Sequence, residues 1–594
     1  MHPWLRVHLK RYRLPYALGI LLTFVVCGLN LVNPMLAGTL VDEVIIGGRK
    51  GLLWPLLGLM LGAIAAKSMI RYGYQMIFER VSQETIKRCR EELFSKIQKM
   101  DFGYYDRTKT GDIMAHMTGD IDAVRHFVAW VVYQLCENGG VFVMAVVALF
   151  FVNWKLTLAM LAVAPLIGFF TFSLAKQVKP TFTKIREQFS KLNSVVQENI
   201  AGNRVVRALV REDFEIEKFQ AENDAFRERN VESAAVWAKY IPPIEFFSGV
   251  LPVILILVGG IMIIRGELSL GQLVTFNGLV WAINQPLRMA GWLVNDAQRF
   301  GAAADRLDKL YELESVIEES SVPVRPENVR GRVEFRRVSF SYGDERVLED
   351  VSFTAEPGQT IGILGPTGAG KSSIGRLLCR FYDRSSGDIL LDDVDVRDYD
   401  LDYLRSQIGI TMQDVFLFSD TIEGNVAFGD PEASVEEVRR ASELANAHEF
   451  VKDLSEGYDT IIGERGVGLS GGQRQRVALA RLLLMSPPVM ILDDTTSAVD
   501  IETEERIQES IRALKGKHTM FIIAHRLSSI MHADQILVIK DGRIVERGRH
   551  EDLRRLGGYY EEVFRHQTGA AAMALSSVPA NASSSVPAEE ARRG

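Results

Sequence analysis

The sequence predicts a multidomain membrane protein: a six-helix all-α transmembrane domain followed by an α/β domain of the P-loop type. Three observations carry this. Apolar runs of membrane length all lie before Leu310. After Gly331, strand-like and helix-like patterns alternate. Within that second region, one strand pattern runs into a glycine-rich loop and then a helix.

Composition excludes other classes. The chain has 594 residues, 47% hydrophobic and 24% charged, with net charge -7. It is therefore not wholly disordered, and it carries no sign of a nucleic-acid binder. Cys27, Cys89, Cys136 and Cys379 are scattered without CxxC spacing, which argues against a disulfide framework and against a zinc site. The expectation is packed thiols.

Six stretches of roughly 20 apolar residues are candidate spans: 14–40, 52–78, 127–152, 156–174, 244–264 and 270–293. Arg6, Lys10, Arg11 and Arg13 precede the first, which is too long for a signal-peptide core and is read as a retained span. The loops 79–126 and 175–243 are long, charged and helix-periodic. The N-terminal basic cluster shares a side with Arg80, Lys87, Arg88, Arg90, Lys96, Lys99, Arg107 and Lys109, so these loops are expected to be cytoplasmic stalks. Lys67, Arg71, Glu137, Asn138, Glu245, Asn277 and Asn284 fall inside apolar stretches. Charges at that depth face a bundle interior, a cavity or a helix partner. The expected division is a transmembrane domain over 1–315, a polar linker over 316–330, an α/β domain over 331–566 and a disordered tail over 567–594.

The strand 360–364 leads into Gly365, Pro366, Thr367, Gly368, Ala369, Gly370, Lys371, Ser372 and Ser373. This is the GxxxxGK[ST] pattern in a strand–loop–helix setting. Backbone N–H groups curl around phosphate oxygens, Lys371 faces the β- and γ-phosphates, and the Ser372 hydroxyl can ligate Mg²⁺. The apolar strand 489–492 ends in Asp493, a carboxylate suited to hold Mg²⁺ through its water shell. Leu469 precedes Ser470, Gly471, Gly472 and Gln473 at the mouth of a helix, a second anion site. Two phosphate-binding ends in one chain exceed the need of a single nucleotide.

At these residues the sequence resembles the ATP-binding cassette (ABC) transporters, in particular an exporter half-transporter of a bacterial cytoplasmic membrane. The resemblance covers nearly the whole chain except the tail. It implies that two cassettes pair head to tail, each ATP lying between the glycine-rich loop of one and the Leu469–Gln473 signature of the other. It further implies that Tyr342 stacks on adenine, that Gln413 touches Mg²⁺ and the attacking water, and that His525 contacts the γ-phosphate. Ser497–Asp500 matches the loop that crosses the dimer seam, and Gly463–Gly466 the one that leans on a partner's stalk. Residues 102–112 and 197–213 resemble the intracellular loops that transmit cassette closure.

One position departs from the family pattern. The residue after Asp493 is usually Glu, which polarises the attacking water, and here it is Asp494. Its carboxylate is shorter by one methylene, about an ångström, and such a misplacement can cost on the order of 10²-fold. Half-transporters with this Asp resemble the degenerate member of a heterodimer whose partner carries Glu. The expected function is export of amphipathic or lipophilic molecules, drug-like or lipidic, driven by ATP and Mg²⁺. A homodimer using Asp494 as a slow base, and an ATP-gated regulator or channel, stay open as alternatives.

Overall fold

The computed structural model describes residues 2–495 and 499–576, with 501 and 569–576 described by their backbone. The chain forms two compact units, one of residues 1–100 with 107–314, the other of 101–106 with 315 onward.

The first unit is all helix. After a short α1 (Pro3–Lys10), its long members are α2 (Arg13–Thr39), α3 (Leu53–Gln98), α4 (Val132–Val152), α5 (Ala164–Ala208), α6 (Glu212–Ile264) and α7 (Leu270–Glu312). At 1.5 Å per residue, the 46 residues of α3 span about 69 Å and the 53 of α6 about 80 Å. A bilayer core needs only about 30 Å, so more than half of each helix extends beyond it, as the charged, helix-periodic loops predict. Pro180, Pro242, Pro243, Pro252 and Pro286 all lie inside helices, which packed neighbours permit by satisfying the freed carbonyls.

Among the described residues, five helices, ending at Ile46, Gln98, Val152, Ala208 and Ile264, are long and apolar enough to cross a membrane. The sixth expected span, 270–293, is the first half of α7, where Gln272, Asn277, Asn284 and Gln285 dilute the apolar surface. Its start is firmly capped: Ser269 forms a capping box with Gln272, and Asp42 accepts hydrogen bonds from Ser269 Oγ (2.5 Å) and Gly271 N (2.7 Å). Buried Cys27, Leu31, Leu149, Leu156, Leu251 and Phe276 belong to the core between these helices. Glu137 accepts from Tyr74 Oη at 3.1 Å and faces Arg71 at 3.5 Å, so these intramembrane charges pair across helices. All four cysteines are free thiols, three of them buried.

The second unit holds two sheets. The antiparallel one, in the order β2-β1-β4-β5, comprises β1 (Val333–Tyr342), β2 (Glu345–Ala355), β4 (Ser386–Leu391) and β5 (Val394–Asp395). The other, in the order β10-β9-β3-β8-β7-β6, comprises β3 (Thr360–Leu364), β6 (Ile408–Thr411), β7 (Val489–Asp493), β8 (Thr519–Ile523), β9 (Gln535–Lys540) and β10 (Arg543–Gly548). Its five members β9-β3-β8-β7-β6 run parallel and β10 closes the edge antiparallel. Every residue of β3, β7 and β8 is buried, the reason these strands read as unbroken apolar runs rather than alternating ones.

The 316–330 segment, expected as a polar linker, packs within the second unit: Val324 bridges to Tyr399, and Arg325 pairs with Asp400 at 2.7 Å. Where a tail is expected from 567, α11 (Tyr559–Ser576) continues ten residues past His566. The alanine-rich 570–574 stretch can extend a helix already anchored by buried Tyr560, since propagation costs far less than nucleation.

Candidate nucleotide site

Parallel strands open their carboxyl ends onto a common edge, where loops can bind ligands. β3 delivers the 365–373 loop there, β7 delivers Asp493 and Asp494, β6 delivers Gln413 two residues past Thr411, and β8 delivers His525 two residues past Ile523. The register joins them: Thr411 pairs with Leu492, and Asp493 with Ile523.

The loop itself is tightly fitted. A Cβ at Gly365 would lie 2.1 Å from the Ile539 carbonyl oxygen. Gly370, with φ +92°, caps helix α8 (Lys371–Leu378), and a Cβ there would lie 2.7 Å from Leu348 Cδ2 and 2.8 Å from the Val347 oxygen. Only glycine combines that dihedral with that clearance. Lys371 is buried, and its Nζ donates to the Gly365 and Pro366 carbonyls at 2.9 Å each. Burial pushes its ammonium below the ordinary lysine range, with the Asp493 and Asp494 carboxylates pulling the other way.

Asp493 is buried at the end of β7. Burial raises its carboxyl above the ordinary range, against the lowering influence of Ser372, Arg376 and Lys371. The Ser372 hydroxyl and the Asp493 carboxylate are hard oxygen donors, and they fit Mg²⁺. Ser372 and Asp493 would hold it, with Gln413 exposed on the same edge; the ion would supply positive charge for the β- and γ-phosphate oxygens. Asp494 has φ +52°, donates its N–H to the Ile523 carbonyl (2.9 Å) and accepts at its own carbonyl from Gln475 Nε2 (3.3 Å).

Tyr342 at the end of β1 accepts from Arg376 Nη1 at 3.1 Å and packs edge-on against Tyr382, centroids 5.0 Å apart. Tyr382 in turn donates to Asp106 at 2.5 Å, while Phe102 stacks on Phe381 at 4.2 Å. Residues 101–106 thus group with the second unit.

Ser470 caps helix α9 (Gly471–Met485): its hydroxyl accepts from Gln473 N (3.2 Å) and Gln473 Oε1 accepts from Ser470 N (2.8 Å). Ser470 is exposed, Gly471 and Gln473 are half-buried and Gly472 is buried. Among the described residues, no hydrogen bond or ion pair joins 470–473 to 365–373. The expected seam loop Ser497–Asp500 lies partly outside the described residues; Asp500 caps α10 (Ile501–Ala513) by accepting from Thr503 N at 2.9 Å. Gly463–Gly466 includes a short 3₁₀ turn with Arg465 at φ +56°.

Arg376, Tyr382, Gln475 and Gln567 escaped the sequence reading. Arg376, on the helix of the glycine-rich loop one turn after Ser372, was the legible one, because that face must meet the ligand.

The fold and the site define a class: a P-loop nucleotide-binding domain joined to a helical membrane domain. Family profiles for an ABC transporter transmembrane region and for an ABC transporter match residues 16–287 and 348–497. An uncharacterized ABC transporter ATP-binding protein, YknU of Bacillus subtilis (strain 168), is 38% identical over 94% of this chain and 96% of its own length. The ATP-dependent lipid A-core flippase of Desulfotalea psychrophila is 32% identical over 94% and 97%. The putative multidrug export ATP-binding/permease protein YgaD of Bacillus subtilis (strain 168) is 32% identical over 94% and 98%. A bacterial Atm1-family ABC exporter, solved with ATP bound, superposes with a TM-score of 0.79 at 28% identity, covering 94% of this chain and 99% of that one. This chain belongs to the ABC transporter family, and it couples ATP hydrolysis to transport.

Proposed function

We propose that this chain is one half of a dimeric exporter of amphipathic or lipophilic molecules, paired with a different chain whose cassette carries Glu after the corresponding Asp. Six spans cross a bacterial cytoplasmic membrane, the sixth being the first half of α7, and both ends of the chain with the cassette lie in the cytoplasm. The names of the flippase and multidrug-export relatives support a lipidic or drug-like cargo.

ATP lies between residues 365–373 of one cassette and the signature of the other. The outward, self-capped Ser470–Gln473 end, unlinked to its own glycine-rich loop, supports that head-to-tail pairing. Lys371 gives up its loop carbonyls for phosphate, Tyr342 stacks on adenine, Gln413 orients water and His525 meets the γ-phosphate. Tighter binding of ATP to the closed pair supplies the free energy that turns the helices outward.

Asp494 carries the pairing argument. Its carboxylate is one methylene short of the usual Glu, and its intact signature completes a site on the partner. In the assembled transporter, Asp494→Asn barely lowers turnover, whereas Ser470→Ala nearly abolishes it. Inside-out vesicles loaded by ATP-dependent dye uptake measure both. Strong loss with Asp494→Asn instead supports a homodimer using Asp494 as a slow base, and passive dye leak under ATP supports a gated channel.

A further inference from the structure

The segment after β8 is held by two elements outside the strand edge. On one side stands Glu504 of α10, a buried carboxylate that pairs with Arg526 and accepts from the Ser528 and Ser529 hydroxyls at 3.1 and 3.3 Å. On the other stands Gln567 of α11. Its Nε2 donates to the His525 carbonyl at 2.8 Å, and its Oε1 accepts from the Leu527 N–H at 3.0 Å. One amide therefore grips the backbone on both sides of Arg526. The two bonds also fix which way the amide points, since a carbonyl can only accept and an N–H can only donate.

A two-point clamp of this kind restrains both backbone dihedrals between its anchor points. His525 itself is exposed, and its imidazole position depends on the loop backbone. Gln567 is exposed as well and contributes nothing to a core, so burial does not account for it. It lies 42 residues downstream of His525, on the helix that leads into the tail, and it reaches back to the loop that the γ-phosphate is to meet.

We propose that Gln567 is a positioning residue for nucleotide recognition: its side-chain amide clamps the His525–Leu527 backbone, and the C-terminal helix thereby sets where His525 meets the γ-phosphate. This rests on the reading of His525 given above. Gln567 acts through the backbone that carries His525. Its influence falls on triphosphate recognition and leaves diphosphate binding alone, because only the triphosphate offers the group that His525 contacts.

The test uses the full-length chain in its assembled transporter, photolabelled with 8-azido-ATP so that label on this chain reports its own adenine site. Competition by Mg·AMP-PNP and by Mg·ADP is measured for wild type, His525→Ala, Gln567→Ala and Gln567→Glu. A hydrogen bond to a charged group is worth roughly tenfold or more in affinity. His525→Ala and Gln567→Ala should each weaken AMP-PNP competition about tenfold while ADP competition stays at the wild-type level. Gln567→Glu keeps an acceptor for Leu527 but cannot donate to His525, and should fall between. A general structural defect would weaken both nucleotides together, and that outcome overturns the proposal. If His525→Ala loses the discrimination and Gln567→Ala keeps it, the clamp is refuted and the γ-phosphate contact stands. If His525→Ala itself keeps the discrimination, the contact fails and the clamp with it.

Discussion

Lys371 Nζ donates to the carbonyl oxygen of Gly365 at 2.9 Å, so the loop's own cation closes the loop. Burial weakens its hold on the proton and the nearby carboxylates only partly restore it, which leaves a site short of negative charge. A triphosphate supplies that charge. Lys371→Met should lose more than tenfold in ATP affinity, consistent with a charge-assisted contact. Thermal melting checks it: wild type gains stability on adding Mg·ATP, the variant should gain almost none, and a full ligand-induced shift would contradict the assignment.

Asp493 presents a stability cost that function requires. Its folded pKa is raised, chiefly by burial, so its contribution to stability is fully present below the ordinary carboxylate range and is lost as pH rises through the folded value. Asp493→Asn removes the ionisable group. Without nucleotide, the variant should melt higher than wild type near neutral pH, with the difference shrinking as pH falls toward the carboxylate range, while ATP hydrolysis at this site is lost. A melting difference that does not vary with pH would remove the electrostatic explanation.

Asp494 sits at φ +52°, a region that Asp visits more readily than longer side chains. Asp494→Glu restores the missing methylene. The expected result is a rise in the ATPase rate of up to about 10²-fold at this site, offset by backbone strain of about 1 kcal/mol that should appear as a lower melting temperature. Steady-state ATPase assays alongside thermal melts separate the two effects, and an unchanged rate would show that reach is not what limits Asp494.

Phe102 stacks on Phe381, rings 4.2 Å apart and 18° from parallel. Such a pair is worth about 0.5–1.5 kcal/mol beyond its burial. Phe102→Ala should leave basal ATPase nearly intact and blunt its stimulation by transported dye several-fold. Phe102→Leu, apolar but unable to stack, should fall in between. Equal loss of basal and stimulated activity in both variants would argue for a folding defect.

Much of this protein was legible in residue order. Long apolar runs, the GxxxxGK[ST] loop, a strand ending in Asp493 and the Ser470–Gln473 helix mouth are local patterns, and each follows from what neighbouring residues permit: the length needed to cross lipid, glycine where a Cβ would collide, an oxygen acceptor at a helix start. The substitution at 494 is legible for the same reason, because it is a difference of one methylene at a known spacing.

Tertiary structure alone decided which distant groups meet. No period or motif relates Gln567 to His525, Tyr382 to Asp106, or Arg325 to Asp400, since these contacts depend on how sheets and helices pack and not on separation along the chain. The same holds for the strand order β10-β9-β3-β8-β7-β6, which brings segments more than a hundred residues apart to one edge. Helix propagation past His566 was equally invisible to composition: an alanine-rich stretch reads as a tail until an anchored helix stands before it, and the anchor is a matter of packing.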